Sequence, residues 1–253
     1  MDYIIHAAVG CHKGKIRRNN EDNLYFDGKI LPEMHNGLNH PMRKKVPADQ
    51  NPVFCIFDGM GGEDCGERAS YLAASTLSDT IRDTEGYLLN PREFLIAACD
   101  RMNEEVFAVS MQLEEGRMGT TVSCLYFTSD EVYACNLGDT KAYRLRDDVL
   151  FQLTKDHVEY QSPNAKSKPR LTQFLGIDPE ELTLVPYIAK GELQKGDIYL
   201  ICSDGLTDMV TNIEICAILK ESISLKKCVE KLIDLANKNG GRDNITIILC
   251  RVE

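Results

Sequence analysis

The stretch Val53-Phe-Cys-Ile-Phe-Asp58-Gly59-Met60-Gly61-Gly62 is apolar until it reaches an aspartate followed by a glycine-rich run. An uninterrupted apolar run of this length predicts a strand that is buried on both faces. A carboxylate directly after such a strand is unexpected unless a partner compensates its charge, because burial of a charge is unfavourable. The stretch therefore predicts a sheet inside a hydrophobic core, with an acidic group at the edge of that sheet.

The same pattern recurs at three further places in the chain. Tyr199-Leu-Ile-Cys-Ser-Asp204-Gly205 ends a second apolar run, Asn136-Leu137-Gly138-Asp139 follows a third, and Gly240-Gly241-Arg242-Asp243-Asn244 precedes the last. One Asp-Gly pair after a strand is usually only a turn. Four such sites beside buried strands instead indicate a pocket of carboxylates, because strand ends meet at one edge of a sheet.

Carboxylates that are packed together repel one another and take up protons unless a cation lies between them. Carboxylate and carbonyl oxygens suit Mg²⁺ or Mn²⁺, and the absence of Cys or His at zinc-ligand spacing argues against zinc. Near the N-terminus, Arg17 and Arg18 precede two more acids, Glu21 and Asp22. A guanidinium beside bound metals is suited to hold a phosphate group.

Composition limits the class of protein. The 253 residues carry 29 Lys and Arg against 39 Asp and Glu, a formal charge of −10, and 43% of them are apolar. This balance supports a real core and argues against a nucleic-acid or membrane partner. The first residues do not resemble a signal peptide, no C-x₂-C pair occurs, and five of the ten cysteines lie in apolar, strand-like runs. We therefore expect a cytoplasmic protein with reduced cysteines.

Periodicity along the chain predicts strands in the first and last thirds and two successive helices over Gly66–Arg82 and Pro91–Leu113. Four short strands over residues 121–153 resemble an antiparallel meander, and residues 27–52 are expected to form a long loop or hairpin excursion. Runs of strands and runs of helices favour an α+β fold of antiparallel sheets with helices outside. No linker divides the chain, so we expect a single domain over residues 1–253.

Seven short motifs follow one another along the chain: Arg17-x-x-x-Glu21-Asp22; Asp58-Gly59-Met60-Gly61-Gly62 with Gly66-Glu67-x-Ala69-Ser70; Gly119-Thr120-Thr121; Asn136-Leu137-Gly138-Asp139; Leu153-Thr-x-Asp156-His157; Ser203-Asp204-Gly205-Leu206-Thr207-Asp208; and Gly241-x-Asp243-Asn244-Ile245-Thr246. In this order they resemble the metal-dependent serine/threonine protein phosphatases of type 2C, in their bacterial form. The resemblance implies a four-layer α-β-β-α sandwich, in which two antiparallel sheets are flanked by antiparallel helix pairs.

The resemblance also implies roles for the acidic residues. Asp58 would bridge two divalent metals and Gly59 would bind one of them through its carbonyl, while Asp204 and Asp243 would hold the second. Glu21 and Asp22 would order metal-bound waters, and Asp139 with Asp204 could supply a weaker third metal site. Arg17, or Arg18 in its place, would hold the substrate phosphate, and Asn244 would support the ligands.

In the reaction that these parts imply, a hydroxide bridging the two metals attacks the phosphorus of a phosphoserine or phosphothreonine. Met60 stands where many eukaryotic members have a histidine, so the proton donor is expected to be His35, His40 or a metal-bound water. His157 is expected to be structural. The flap, at about residues 158–176, is shorter than usual, and its Lys166, Lys168 and Arg170 could attract an acidic phosphopeptide.

The leading hypothesis is thus a phosphatase that reverses a cytoplasmic Ser/Thr kinase, acts on phosphorylated proteins and functions as a monomer. One alternative is a phosphatase-like regulatory or binding protein that has lost most of its turnover. The other is a metal-dependent nuclease, which would use similar carboxylates, although the acidic balance argues against it.

Overall fold

The computed structural model of the chain describes residues 3–61, 65–83, 90–113, 118–161, 168–221 and 223–253. Gly62 of the glycine-rich motif and Lys166 of the flap lie outside these ranges. The described residues form twelve strands, with the following bounds: β1 (Ile4–His12), β2 (Asp22–Phe26), β3 (Met42–Pro47), β4 (Val53–Gly61), β5 (Met118–Thr120), β6 (Val122–Phe127), β7 (Glu131–Leu137), β8 (Lys141–Arg146), β9 (Val149–Gln152), β10 (Tyr187–Glu192), β11 (Ile198–Cys202) and β12 (Ile245–Val252).

Five helices accompany the strands in the same part of the chain: α1 (Gly66–Asp83), α2 (Pro91–Ser110), the single turn α3 (Asp204–Thr207), α4 (Asn212–Leu219) and α5 (Leu225–Lys238). Their starts follow local chemistry. Asn90 caps α2 with a proline in its first turn, and Thr211 with Glu214 forms a capping box on α4. The side chain of Ser224 caps α5.

The strands form two sheets in which every pairing is antiparallel. Sheet I has the order β3-β1-β12-β11-β8-β9, and sheet II has the order β10-β7-β6-β4-β2, with β5 paired to the end of β4. Because β1 pairs with β12, the two ends of the chain lie in one sheet.

Three apolar clusters hold four layers together. The central cluster fills the space between the sheets, where the rings of Phe54, Phe127 and Tyr199 pack edge-on. A second cluster joins sheet II to α1 and α2, and a third joins sheet I to α3, α4 and α5. This arrangement confirms the predicted α-β-β-α sandwich.

All ten cysteines are free thiols, and eight of them are buried. Cys55, Cys124 and Cys135 lie side by side on β4, β6 and β7 and pack against the helices of the second cluster. Burial raises the pKa of the Cys55 thiol, which favours its neutral, apolar form. Eight of the ten cysteines are thus buried, as expected of packing residues.

The predicted four-stranded meander over residues 121–153 was wrong. β6 and β7 form a hairpin in sheet II, whereas β8 and β9 form a hairpin in sheet I. The chain crosses between the sheets at Gly138, which has a positive φ of 102°, and at the buried Thr140. Each hairpin buries its own apolar face, so a local pattern typical of a meander also suits two hairpins in different sheets.

Residues 27–52 are also more ordered than expected, because they contain β3 at the edge of sheet I. Val46 points into the central cluster, and the basic residues Arg43, Lys44 and Lys45 are exposed. Lys44 forms an ion pair of 2.8 Å with Asp27. Charged side chains on an edge strand oppose pairing with another chain.

Candidate metal centre

The predicted carboxylates meet where the two sheets of the sandwich end. Asp22 on β2 and Asp58 on β4 are direct partners in the antiparallel ladder, so both side chains lie on the face between the sheets. Asp139 follows β7, Asp204 follows β11, and Asp243 precedes β12. Asp58 interacts electrostatically with Asp22, Asp139, Asp204 and Asp243, so one centre collects all five aspartates.

Asp22 connects the two sheets. Its Oδ2 atom accepts hydrogen bonds from Ser203 Oγ at 2.8 Å and from Thr246 Oγ1 at 2.6 Å. Thr246 lies on β12 of sheet I, and Ser203 directly follows β11 of the same sheet. The Asp22 side chain is only 1% exposed, and its Oδ1 atom is buried without a hydrogen-bond partner among the described residues. Burial raises the pKa of Asp22 to about 7, an effect that Thr246 and Ser203 partly offset.

Asp58 is fixed through its backbone by the Gly119-Thr120-Thr121 motif. Its amide donates to Thr121 Oγ1 at 3.1 Å, while its carbonyl accepts from the Thr120 hydroxyl at 3.0 Å and from the Thr121 amide at 2.9 Å. Burial, followed by the charges of Asp22 and Asp204, raises the pKa of Asp58 well above its usual range. The Asp58 side chain therefore has a set position and an unfavourable charge, as a metal ligand would.

Gly59 lies where no other residue fits. A Cβ atom at this position would lie 2.1 Å from the Gly66 carbonyl oxygen and 2.5 Å from that of Glu21. The Gly59 amide donates to the Glu21 carbonyl at 3.0 Å. Glycine is therefore needed here so that β4, the start of α1 and the Glu21 loop can come together.

Arg17 lies at the rim of the centre and joins two of its acids. Its Nη2 atom is 2.7 Å from Asp243 Oδ2, its Nη1 atom is 3.7 Å from Glu21 Oε2, and its side chain is 45% exposed. Arg18 is exposed as well, but within the described residues no ion pair joins it to the centre. The structure thus brings Arg17, and not Arg18, to the carboxylates.

Asn244 holds the loop that carries Arg17 and Glu21. Its side-chain oxygen accepts from the Glu21 amide at 2.7 Å, and its side-chain nitrogen donates to the carbonyls of Lys13 at 2.8 Å and Asn19 at 3.0 Å. Because Asn244 is 3% exposed, these bonds are shielded from water. The side chain positions the loop through backbone atoms, in keeping with its expected supporting role.

Asp204 and Asp139 lie on the side of the centre that faces the flap. Burial raises the pKa of Asp204 to about 6, against the opposing effect of Lys168. Burial also raises the pKa of Asp139. The Oδ1 atom of Asp204 is buried and has no hydrogen-bond partner in the described part of the chain.

Lys168 is the residue of this centre whose role sequence reasoning missed. Its Nζ atom lies 2.5 Å from Asp204 Oδ2, 2.6 Å from Asp208 Oδ2 and 3.9 Å from Asp243 Oδ2. Partial burial opposes its charge, but Asp204 and Asp208 hold the pKa of Lys168 above its usual value. Its place in a basic run of the flap is the one signal in the sequence, and that run was interpreted as a surface for acidic peptides.

His35 and His157 both form hydrogen bonds with backbone groups. The Gly37 amide donates to His35 Nδ1 at 3.0 Å, so His35 Nε2 carries the proton that it shares with the Asp22 carbonyl at 2.9 Å. The Gly138 amide contacts His157 Nδ1 at 3.3 Å, beside the turn that presents Asp139. His40 is exposed. His35 therefore holds backbone with both ring nitrogens.

The donor set fits hard divalent cations. In the described part of the chain, two buried carboxylate oxygens, Asp22 Oδ1 and Asp204 Oδ1, have no hydrogen-bond partner, and burial opposes the charge of both acids. Within the described residues, no three His, Cys, Asp or Glu side chains form a ready-made cage. Mg²⁺ and Mn²⁺ do not need one, because Mg²⁺ in particular keeps several waters and takes few protein ligands.

Comparison with known proteins agrees with this geometry. The family described as Protein phosphatase 2C matches residues 44–250. The "Serine/threonine phosphatase stp" of Listeria innocua is 32% identical over 97% of this chain and 95% of its own length. The "Serine/threonine protein phosphatase PstP" of Mycobacterium tuberculosis is 29% identical over 98% of this chain, which spans 45% of that protein.

Solved structures are also similar to the chain. A crystal structure of Mycobacterium tuberculosis PstP/Ppp superposes with a TM-score of 0.79 at 26% identity, covering 99% of both chains. The serine/threonine phosphatase of S. agalactiae gives 0.82 at 25% identity, covering 98% of this chain and 100% of the other. The catalytic domain of PstP "in complex with 2 Manganese ions" gives 0.78 at 26% identity, covering 99% of both chains.

The fold and the site define a metal-dependent phosphatase. The chain belongs to the protein phosphatase 2C family and is a protein serine/threonine phosphatase of the bacterial type. Among its described residues, no helix combines the length and the apolar character needed to cross a bilayer.

Proposed function

We propose that the chain hydrolyses phosphoserine and phosphothreonine in proteins with two Mg²⁺ or Mn²⁺ ions, and so reverses a cytoplasmic Ser/Thr kinase. The observation that supports the proposal is that five aspartates lie together at the ends of the sheets: Asp22, Asp58, Asp139, Asp204 and Asp243. Two of their buried carboxylate oxygens have no hydrogen-bond partner in the described chain. Free thiols at all ten cysteines support the cytoplasmic location.

The acidic residues would divide into direct metal ligands and residues that bind metal-bound waters. Asp58 and the Gly59 carbonyl would hold the first ion, and Asp58, Asp204 and Asp243 the second, with Glu21 and Asp22 accepting hydrogen bonds from bound waters. When bound, the ions would supply a bridging hydroxide for in-line attack, because two divalent charges lower the pKa of a shared water. Asp139 interacts electrostatically with Asp204, and these two acids are the pair that the family resemblance assigns to a weaker third ion.

Arg17 is proposed to hold the substrate phosphate. It lies at the exposed rim, and its guanidinium already pairs with Asp243, one of the proposed ligands. A guanidinium can donate two parallel hydrogen bonds to phosphate oxygens, which orients the phosphorus toward the acids behind it. Arg18, which makes no such pair in the described chain, remains the second candidate.

The proton of the leaving group is proposed to come from a bound water. His35 donates to the Asp22 carbonyl and accepts from Gly37, so its ring has no proton to spare without breaking the loop. His40 is exposed and is the alternative proton donor to be tested. Replacing His40 with alanine is expected to leave hydrolysis of a poor leaving group unchanged.

The whole chain is proposed to be one phosphatase domain that acts as a monomer, with a short flap at about 158–176. The pairing of β1 with β12 supports one domain, because neither half can complete sheet I alone. Size-exclusion chromatography coupled to light scattering tests the monomer.

The direct test is phosphate release from a phosphothreonine peptide with Mn²⁺. We expect turnover that a chelator abolishes and that Asp204→Asn reduces by roughly a hundredfold or more. The control variant Asp234→Asn removes an exposed carboxylate on α5 and is expected to leave turnover unchanged. Mn²⁺ binding without turnover would contradict the proposal and favour the phosphatase-like regulatory protein.

A further inference from the structure

Lys168 enters the acidic centre from the flap, and its contacts are those of a counter-ion. Its Nζ atom lies within 2.6 Å of one oxygen each of Asp204 and Asp208, and 3.9 Å from Asp243. Just over half of its side chain is exposed to solvent. The ammonium thus occupies one carboxylate oxygen of Asp204, Oδ2, and leaves Oδ1 without a hydrogen-bond partner among the described residues.

The flap holds this lysine through its backbone. The base of the flap is closed where Val158 pairs with Leu171 and where the Glu159 amide donates to the Arg170 carbonyl at 2.9 Å. The Gln161 side chain donates to the Lys168 carbonyl at 3.1 Å. The far end is tied to β5 by two hydrogen bonds between Thr120 and Leu175. Lys168 is therefore presented by an anchored segment.

One of the oxygens that Lys168 contacts, Asp204 Oδ2, is an atom that a third divalent ion would need as a ligand. Asp204 Oδ2 pairs with the ammonium, and the charge of Lys168 also acts on Asp139, the other acid on this side. Asp204 Oδ1, which is buried without a hydrogen-bond partner among the described residues, stays open to the second ion. Asp204 Oδ2, at 2.5 Å from the ammonium, cannot also accept a third ion at the same place, because the two cations repel. Lys168 and an ion between Asp139 and Asp204 are mutually exclusive.

We propose that Lys168 is a built-in cation of the flap that takes the place of a third divalent ion at Asp139 and Asp204. This inference rests on the proposed two-metal function, and it adds that the chain itself limits its metal stoichiometry to two. Competition is reciprocal: an ion that binds at Asp204 Oδ2 must displace the Lys168 ammonium, and the ammonium lowers the affinity for that ion by the same factor.

The first test counts Mn²⁺ ions by equilibrium dialysis and isothermal titration calorimetry. We expect the wild-type chain to bind two ions, and Lys168→Met to bind a third with an affinity raised roughly tenfold. Lys168→Arg, which keeps the charge, is expected to resemble the wild type. Arg170→Met is the matched control, because it removes another cation of the flap while leaving Lys168 in place.

The second test follows the amino group itself. Amine-reactive labelling read by mass spectrometry is expected to modify Lys168 several-fold faster when excess Mn²⁺ forces the third site to fill, relative to the exposed Lys195. Unchanged labelling would overturn the proposed role of Lys168. Equal third-ion affinity in the wild type and in Lys168→Met would do the same, and if both proteins bind two ions tightly, the two-metal function would still stand. Absence of any tight Mn²⁺ in the wild type would overturn the two-metal function as well.

Discussion

Asp22 and Asp58 lie directly opposite each other on β2 and β4, with both carboxylates facing the gap between the sheets. Like charges in this relationship destabilise a sheet. The structure offsets only part of the repulsion, through the hydroxyls of Ser203 and Thr246 that donate to Asp22. The pair therefore marks a position where a cation stabilises the fold.

Metal binding should stabilise the chain by relieving this repulsion. At a hundredfold excess of Mn²⁺ over its Kd, one ion adds about 2.7 kcal/mol to the free energy of unfolding. For a domain of this size we expect the melting temperature to rise by roughly 5–10 °C. Differential scanning calorimetry with Mn²⁺ and with chelator measures the change, and equal melting temperatures would count against a metal at this pair.

The stability of the chelated protein should fall as the pH rises. The pKa of Asp22 is about 7 in the fold, above its ordinary value of 3.8, so the folded state keeps a proton that the unfolded state releases. The stabilising contribution of protonated Asp22 is complete below pH 3.8 and is lost as the pH rises through about 7. Urea unfolding across this range measures the slope.

The matched variant for the pH dependence is Asp22→Asn, which keeps the shape of the side chain and removes its titration. We expect a smaller slope of unfolding free energy against pH in this variant. An identical slope in wild type and variant would show that other groups cause the dependence.

Arg17→Ala should raise KM for a phosphopeptide by roughly tenfold, because the guanidinium that would bind phosphate is lost. Steady-state kinetics on Arg17→Ala and Arg18→Ala compare the two candidates under the same conditions. Since Arg17, and not Arg18, forms an ion pair with the centre in the described chain, we expect the larger effect in Arg17→Ala. A larger increase of KM in Arg18→Ala would reverse the assignment.

Asn244→Ala should loosen the loop that carries Arg17 and Glu21. The substitution leaves the Glu21 amide and the carbonyls of Lys13 and Asn19 without their buried partner. We expect a loss of about 1–3 kcal/mol in unfolding free energy together with reduced turnover. Hydrogen exchange of the Glu21 amide separates the two effects: exchange as slow as in the wild type would mean that Asn244 does not position this loop.

Much of the centre could be predicted from sequence because each acid stands next to its own strand. Asp58 directly follows an apolar run, and Asp204 follows another after one serine. The glycine after each aspartate indicates a position where the backbone is closely packed. Local periodicity also predicted two successive helices beginning at Gly66 and Pro91, where α1 and α2 begin. These features depend on residues that are close in the chain.

The features that were missed depend on partners far apart in the chain. Nothing near Lys141 states that β8 pairs with β11, so the crossing at Gly138 was interpreted as another hairpin turn. The sequence of β3 resembles a charged loop because Arg43, Lys44 and Lys45 separate its two residues that contact the core, Met42 and Val46. Lys168 reaches Asp204 over 36 residues, and only the folded chain shows that pair.

The central claim is that Asp58 lies between two metal ions. Anomalous diffraction from crystals grown with Mn²⁺ tests it most directly, because the scattering locates the manganese independently of activity. We expect two strong peaks on either side of the Asp58 carboxylate, one of them also beside Asp204 and Asp243. Strong peaks away from Asp58, or none there in crystals of an active enzyme, would contradict the claim.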